Sequence, residues 1–258
     1  LPTGNALPKA EFPLRMCTVT WHASSAGISM YFNRDEQRAR TPAKPPRLLH
    51  RGGVRVLAPH DPAGGGTWIC VNSHGLAAGL LNHGAPVIAH HPAAPSRGRL
   101  LLDLSDAPDV ATFGCRLRAA VRAGPCRPCV LLALDRAGMI ARWSWNGRRL
   151  TARALPLCGV ITTSSWDGRR VTATRRRRFR ALLASGPPTA ASFTAYHHAG
   201  EQPAGPASVR MSRPDARTVS FTRLEIGRKY VRLFYAPRQG DGGFGQARGR
   251  ALRLKPRP

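Results

Sequence analysis

The chain has 258 residues, 42% of them hydrophobic, which is enough for one substantial core, and it carries a formal net charge of +27. Six cysteines in a chain this long exclude a disulfide-built scaffold, and no apolar run approaches the roughly 20 residues that span a bilayer. The charge would attract nucleic acid, anionic lipid or acidic small molecules, but it is almost all Arg, with Lys only at Lys9, Lys44, Lys229 and Lys255 in an Ala, Gly and Pro background that fits a GC-rich coding bias. No zinc finger, RNP motif or basic zipper accompanies it, so specific nucleic-acid recognition is not expected. Reduced thiols and the lack of a signal-peptide core point to the cytoplasm.

Residues 1–15 contain three prolines and few apolar side chains, and read as a disordered arm, a propeptide or a mis-set start. Thr18 to Trp21 and Ile28 to Phe32 are β-branched or aromatic runs around the turn residues Ser24, Ser25 and Gly27, which predicts a hairpin. Gln37 to Arg51, with Pro42, Pro45 and Pro46, predicts a surface loop. Short strands are predicted at Val54–Leu57, Thr67–Val71 and Leu76–Asn82, and His83 to Arg97 reads as a connection. Helical spacing marks Arg99–Leu104 and Pro108–Ala123, the second capped by Asp106 and ended by Gly124-Pro125. Cys129–Asp135, Met139–Trp145, Leu150–Leu155 and Cys158–Thr163 read as strands. A basic helix runs from Thr172 or Thr174 to Ala184, followed by a loop over Phe193–Ala207 that holds His197 and His198. Strands close the domain at Ser208–Ser212, Thr218–Ile226 and Tyr230–Tyr235. One domain over residues 16–236 and a disordered Gly, Arg and Pro rich tail over 237–258 complete the pattern, whose fold class is α+β.

The hairpin brings Cys17 near Asn33, Arg34 and Asp35, so a thiol, a guanidinium and a carboxylate converge. Against that stands the usual fate of a free Cys, a small buried strand residue, and Asn33 to Glu36 also suits a solvated strand end. Cys126-Arg-Pro-Cys129 has metal spacing but only Cys115 nearby, so no metal is expected. The pairs His90-His91 and His197-His198 read as surface loop positions, and Gly64-Gly-Gly66 as a turn before Thr67-Trp68.

Met16-Cys17-Thr-Val-Thr-Trp21 followed by Phe32-Asn-Arg-Asp-Glu-Gln37 resembles the opening of the NRDE family, also called the transport and Golgi organisation family. Leu57-Ala-Pro59, Gly65-Gly-Thr-Trp-Ile69, Val71-Asn72, His74-Gly-Leu76, Leu81-Asn82, Thr162-Thr-Ser-Ser-Trp-Asp167 and Ser208-Val209 follow in the family's order. The resemblance implies a four-layer αββα sandwich of two antiparallel sheets, as in N-terminal nucleophile hydrolases of the choloylglycine hydrolase and penicillin V acylase group. It implies a hydrolase of a linear amide with Cys17 as nucleophile and no cofactor. An N-terminal Cys supplies both a thiol and an α-amine of pKa about 7.7–8.0 that serves as general base. Removal of Met16 exposes that amine if translation starts there; otherwise residues 1–15 must be cleaved.

Arg34 would favour thiolate and Asp35 would hold the amine, but adjacent strand residues face opposite ways, so only one reaches Cys17. By resemblance, Asn82 is the oxyanion donor, and Thr163 stands where those hydrolases carry a second Asn. Asn33, Asn72 and Trp68 are candidate substrate contacts, although Asn72 and Asn82 equally suit loop backbone. The alternative that the family implies is a non-catalytic carrier of haem or lipid, its Arg-rich rim holding haem propionates.

Overall fold

The computed structural model describes residues 16–83, 94–164, 167–200, 205–240 and 242–256. The expectations for residues 1–15, for His90 and His91 and for Trp166 lie outside them.

Alternation along the strands builds four layers. In β1 (Cys17–Ser24) the odd residues Cys17, Val19, Trp21 and Ala23 face one way, and in β2 (Gly27–Gln37) the even residues Ile28, Met30 and Phe32 join them. The two strands pair antiparallel with Cys17 opposite Arg34 and Ser24 opposite Gly27, the predicted hairpin. With β10 (Cys158–Thr163), β11 (Ala216–Ile226), β12 (Tyr230–Pro237) and β13 (Arg248–Arg253) they form a six-stranded sheet of order β10-β1-β2-β11-β12-β13.

The second sheet has seven strands in chain order: β3 (Lys44–Arg51), β4 (Val54–His60), β5 (Ile69–Asn72), β6 (Leu76–Asn82), β7 (Cys129–Asp135), β8 (Ile140–Trp145) and β9 (Leu150–Ala154). Val71, Ala77, Leu81, Val130, Leu132 and Leu134 meet the first sheet in the central core, where Trp21 and Phe32 are fully enclosed. Leu76, Ala78, Leu80, Leu131 and Ala133 face outward against α1 (Arg97–Asp103) and α2 (Val110–Ala123). On the outer face of the first sheet, Tyr31 and Phe221 meet Phe179 of α3 (Gly168–Ala184) and Phe193 and Tyr196 of α4 (Ala190–His198). Helices outside and two antiparallel sheets inside give the expected αββα order.

Several local expectations are corrected. Residues 44–51 form strand β3 rather than loop: Pro45 and Pro46 sit where the register against β4 shifts between Lys44 and Arg47, a bulge that relieves the missing N–H groups. Helix α4 replaces the loop expected from Phe193, because Thr189 and Ser192 form a reciprocal cap and Phe193, Tyr196 and His197 pack onto the sheet. His197 is therefore buried, its Nε2 2.9 Å from Thr20 Oγ1, not a surface position. Residues 248–253 form an edge strand on β12 where a disordered tail was expected. At Ser208–Ser212 there is only a single bridge, Ser212 to Arg217. Asp109, not Asp106, caps α2 by accepting from Thr112 N, while Asp106 pairs with Arg116 at 2.6 Å.

The loop that carries Trp68 is held against the start of α1 by a close glycine approach. Thr67 N donates to Gly98 O at 3.2 Å, and a Cβ on Gly66 would fall inside contact distance of the Gly98 and Arg99 backbone. Gly66→Ala is expected to cost about 1–3 kcal/mol, read as a lower urea midpoint. An unchanged midpoint would show that the two segments separate freely.

Candidate active site

Cys17 opens β1 between two neighbours, with Arg34 of β2 directly opposite on one side and Thr163 of β10 on the other. Directly opposed residues share a face, so all three side chains belong to the inter-sheet side at one end of the sandwich. A cavity of about 70 Å³ lies there, lined among others by Cys17, Arg34, Trp68, Leu80, Asn82 and Arg97. Asn82 ends β6 and reaches this cavity from the α1 side.

Asp35 stands apart as the period of two requires. Its backbone N–H bonds the Cys17 thiol, but its carboxylate lies on the helix side of the sheet. There Thr218 Oγ1 donates to Oδ1 at 2.6 Å, and the fully buried Arg175 donates through Nη1 to Oδ2 at 3.4 Å. The same Nη1 donates to Thr18 Oγ1 at 2.8 Å and to Thr162 Oγ1 at 3.4 Å, and Nη2 donates to Pro206 O at 3.2 Å. The register of β11 shifts between Thr218 and Ser220, opposite Asp35 and Arg34, and this bulge turns Thr218 toward the carboxylate. Burial lifts the Asp35 carboxyl to about 6, against the opposing pull of Arg175.

Arg34 is locked in place. Its Nη2 lies 3.2 Å from Glu36 and 3.4 Å from Asp61, and its guanidinium stacks 4.5 Å above the Trp68 ring. Arg40 closes the ring of charges, 2.7 Å from Glu36 and 2.6 Å from Asp61. With its positive charge shared between two carboxylates, Arg34 does little to favour thiolate. Burial, reinforced by the negative charge of Asp35, pushes the Cys17 thiol up to about 12, so with Met16 attached it rests protonated.

Met16 itself is buried beside Met211 and Ala216, and accepts a hydrogen bond from Ser164 Oγ at its sulfur. Its peptide bond to Cys17 makes the Cys17 nitrogen an amide with no basic lone pair. Two polar groups near the thiol are unused: Thr163 Oγ1 and Trp68 Nε1 are buried with no hydrogen-bond partner among the described residues. Unpaired donors beside a nucleophile are what a developing oxyanion needs.

The fold thus gathers Cys17, Arg34, Asn82, Thr163 and Trp68, with Asp35 contributing its backbone. Asn33 and Asn72 are elsewhere. Asn33 Nδ2 donates to His197 O and Val209 O at 2.8 and 3.0 Å, pinning the end of α4 to the sheet. Asn72 Nδ2 donates to Ser105 O and Ala107 O while its Oδ1 accepts from His74 N and Leu76 N, the loop-backbone role. Neither is placed to touch a substrate at Cys17. Cys126 and Cys129 are free thiols, and no cluster able to hold a metal occurs among the described residues.

Sequence reading missed Glu36, Arg40, Asp61 and Arg175. Arg175 carried a signal: Val171, Arg175 and Phe179 are the buried residues of α3 at a spacing of four, so an Arg occupies the helix's core stripe. Asp61 had none, since its pairing depends on a loop folding back onto β2.

Residues 16–135 match the sequence model of the family described as Transport and Golgi organisation 2. No curated protein matches the sequence. Among solved structures, penicillin V acylase from Agrobacterium tumefaciens is similar at TM-score 0.50 and 14% identity, over 86% of this chain and 82% of that one. A variant of conjugated bile acid hydrolase from Clostridium perfringens matches at TM-score 0.52 and 12% identity, over 93% and 97%. The Caenorhabditis elegans ortholog of N-acylethanolamine-hydrolyzing acid amidase matches at 0.50 and 13%, over 81% and 92%. Residues 16–135 are thus similar to the Transport and Golgi organisation 2 family, and the fold of the chain is that of the N-terminal nucleophile hydrolases.

Proposed function

We propose that the protein is an amidohydrolase that cleaves a linear acyl amide with Cys17 as an N-terminal nucleophile. The observation that carries this reading is the placement of the Cys17 thiol in a cavity beside two unsatisfied donors, Thr163 Oγ1 and Trp68 Nε1, at the head of an inner strand. Once Met16 is removed, the Cys17 amine takes the thiol proton and sulfur attacks the carbonyl carbon. Negative charge collects on the carbonyl oxygen, where Thr163, Trp68 and Asn82 donate. The C–N bond then breaks, the leaving nitrogen takes the proton from the α-ammonium, and water hydrolyses the thioester to acid and free thiol. The names of the fold's neighbours, an acylase, a conjugated bile acid hydrolase and an acid amidase, favour acyl amides as the substrate class.

Arg34 and its charge ring shape the wall rather than activate the thiol, and Asp35 acts through its backbone and through Arg175. The cavity of about 70 Å³ beside Cys17 favours a narrow acyl chain over a broad planar ligand such as haem.

The test is alkylation with iodoacetamide, read by peptide mass, with the exposed Cys115 as internal standard. In protein that begins at Met16, Cys17 is expected to stay unlabelled. In protein that begins at Cys17, the adjacent ammonium and the vacated slot of Met16 are expected to speed its labelling at least about tenfold. Equal inertness in both forms would overturn the nucleophile assignment.

A further inference from the structure

At the other end of the sandwich, roughly 23 Å along β1 from Cys17, lies a groove of about 1160 Å³ that the chemistry at Cys17 does not use. It is formed by the β1–β2 turn, the β7–β8 turn at Arg136–Gly138, the β11–β12 turn at Gly227–Lys229, and residues 253–256. Six cations line it, Arg55, Arg136, Arg228, Lys229, Arg253 and Lys255, and no Asp or Glu does.

The cations are held there by backbone geometry. The segment after β13 straps the two sheets together: Leu254 N donates to Lys229 O at 2.9 Å, and Lys255 N donates to Ser73 O at 2.7 Å. Arg136 Nη1 donates to Lys255 O at 2.9 Å and Arg55 Nη2 to Arg253 O at 3.2 Å, so two guanidiniums fix the strap through its carbonyls. Arg228, Lys229, Arg253 and Lys255 make no side-chain ion pair among the described residues. Burial, and after it the charges of Lys255 and Arg136, hold the neighbouring His74 below the usual imidazole range, the response expected beside a cluster of cations. Holding like charges together in this way costs free energy that only an anionic partner returns.

Apolar side chains identify the kind of partner. Five large apolar residues are exposed among the described ones, and three of them, Leu157, Met139 and Tyr230, stand at this end. Leu157 and Tyr230 line the groove, and Met139 directly follows the Arg136–Gly138 turn. Cations interleaved with protruding Leu, Met and Tyr match the headgroup and acyl boundary of an anionic bilayer. A nucleic-acid strand would need a row of stacking rings, and Tyr230 is the one aromatic residue in the lining. No helix of the described residues is long and apolar enough to cross a membrane, so the contact would be peripheral.

We propose that this end of the sandwich is a docking face for anionic phospholipid membranes, which leaves the Cys17 end pointing toward water. The test measures partition of the full chain onto phosphatidylcholine vesicles with and without about one third phosphatidylserine. Strong binding is expected only with phosphatidylserine. Replacing Arg228, Lys229, Arg253 and Lys255 together by Gln is expected to weaken it about a hundredfold or more. The same charge removal on α3, at the exposed Arg169, Arg170, Arg176 and Arg177, is expected to weaken it less than about fivefold, by screening at the Debye length. Leu157→Ser with Met139→Ser, which leaves the charge intact, is expected to lower the partition several-fold in high salt. Equal losses in the two quadruple variants would reduce the effect to net charge and overturn the proposal. So would a groove variant that loses binding to a single-stranded oligonucleotide while keeping its vesicle binding.

Discussion

Arg175→Met is expected to destabilise the fold by roughly 3–5 kcal/mol near pH 7.5, and by clearly less near pH 5. Arg175 is fully buried and is the cation beside Asp35, which is itself 2% exposed. Burial holds the Asp35 carboxyl at about 6 in the native state against 3.8 in the unfolded chain, even with Arg175 in place. The native state therefore keeps this proton to a higher pH than the unfolded chain does. The stability tied to the protonated form is complete below 3.8 and is lost as pH rises through 6.

Removing Arg175 takes away the strongest influence that lowers this value, so the native carboxyl moves further up and the loss continues to higher pH. The variant's deficit must grow between about pH 5 and pH 7.5, because a buried carboxylate without its cation costs far more than the neutral acid, which Thr218 still serves at 2.6 Å. Thr18 and Thr162 remain hydrogen-bonded to each other at 2.9 Å, so the hydroxyls add little to the penalty. Urea unfolding of both proteins at the two pH values checks this. Equal deficits at both would show that Arg175 contributes packing and not charge.

The second large effect concerns turnover. Cys17→Ala is expected to reduce acyl-amide hydrolysis about a thousandfold or more, and a form that retains Met16 should be equally inactive despite an intact thiol. These two losses have different causes. Ala removes the atom that attacks, whereas Met16 removes the base: the Cys17 nitrogen stays an amide and the thiol, at about 12, keeps its proton. Kinetics with a panel of N-acyl p-nitroanilides separates them, because only the Met16-retaining form recovers activity after treatment with an aminopeptidase.

Much of the framework was legible because it follows from alternation and from short runs of apolar or β-branched residues. In the Cys17 to Gln37 hairpin the apolar residues repeat at two, β7 is a continuous apolar run and β10 is rich in β-branched residues, and the opposite facing of Arg34 and Asp35 follows from the strand period. The edges were less legible. β3 carries two prolines and β13 three arginines, the features that blunt an exposed edge and so disguise it as loop or tail. In α4 the reciprocal cap uses Ser192 where Glu or Gln is the usual signal. At the site, Cys17, Arg34, Asn82 and Thr163 were legible through the motifs around them. The charge ring was not, since Asp61 reaches Arg34 and Arg40 only through a loop closed by the contact of Gly66 with Gly98.

The most direct measurement is the intact mass of the isolated protein, taken before and after brief mixing with the acyl p-nitroanilides. The predicted result is a chain that begins at Cys17 and gains one acyl group, with the added mass located on Cys17 and absent from Cys17→Ala. A chain that hydrolyses these amides while still carrying Met16, or one whose activity survives Cys17→Ala, would contradict the assignment of Cys17 as an N-terminal nucleophile.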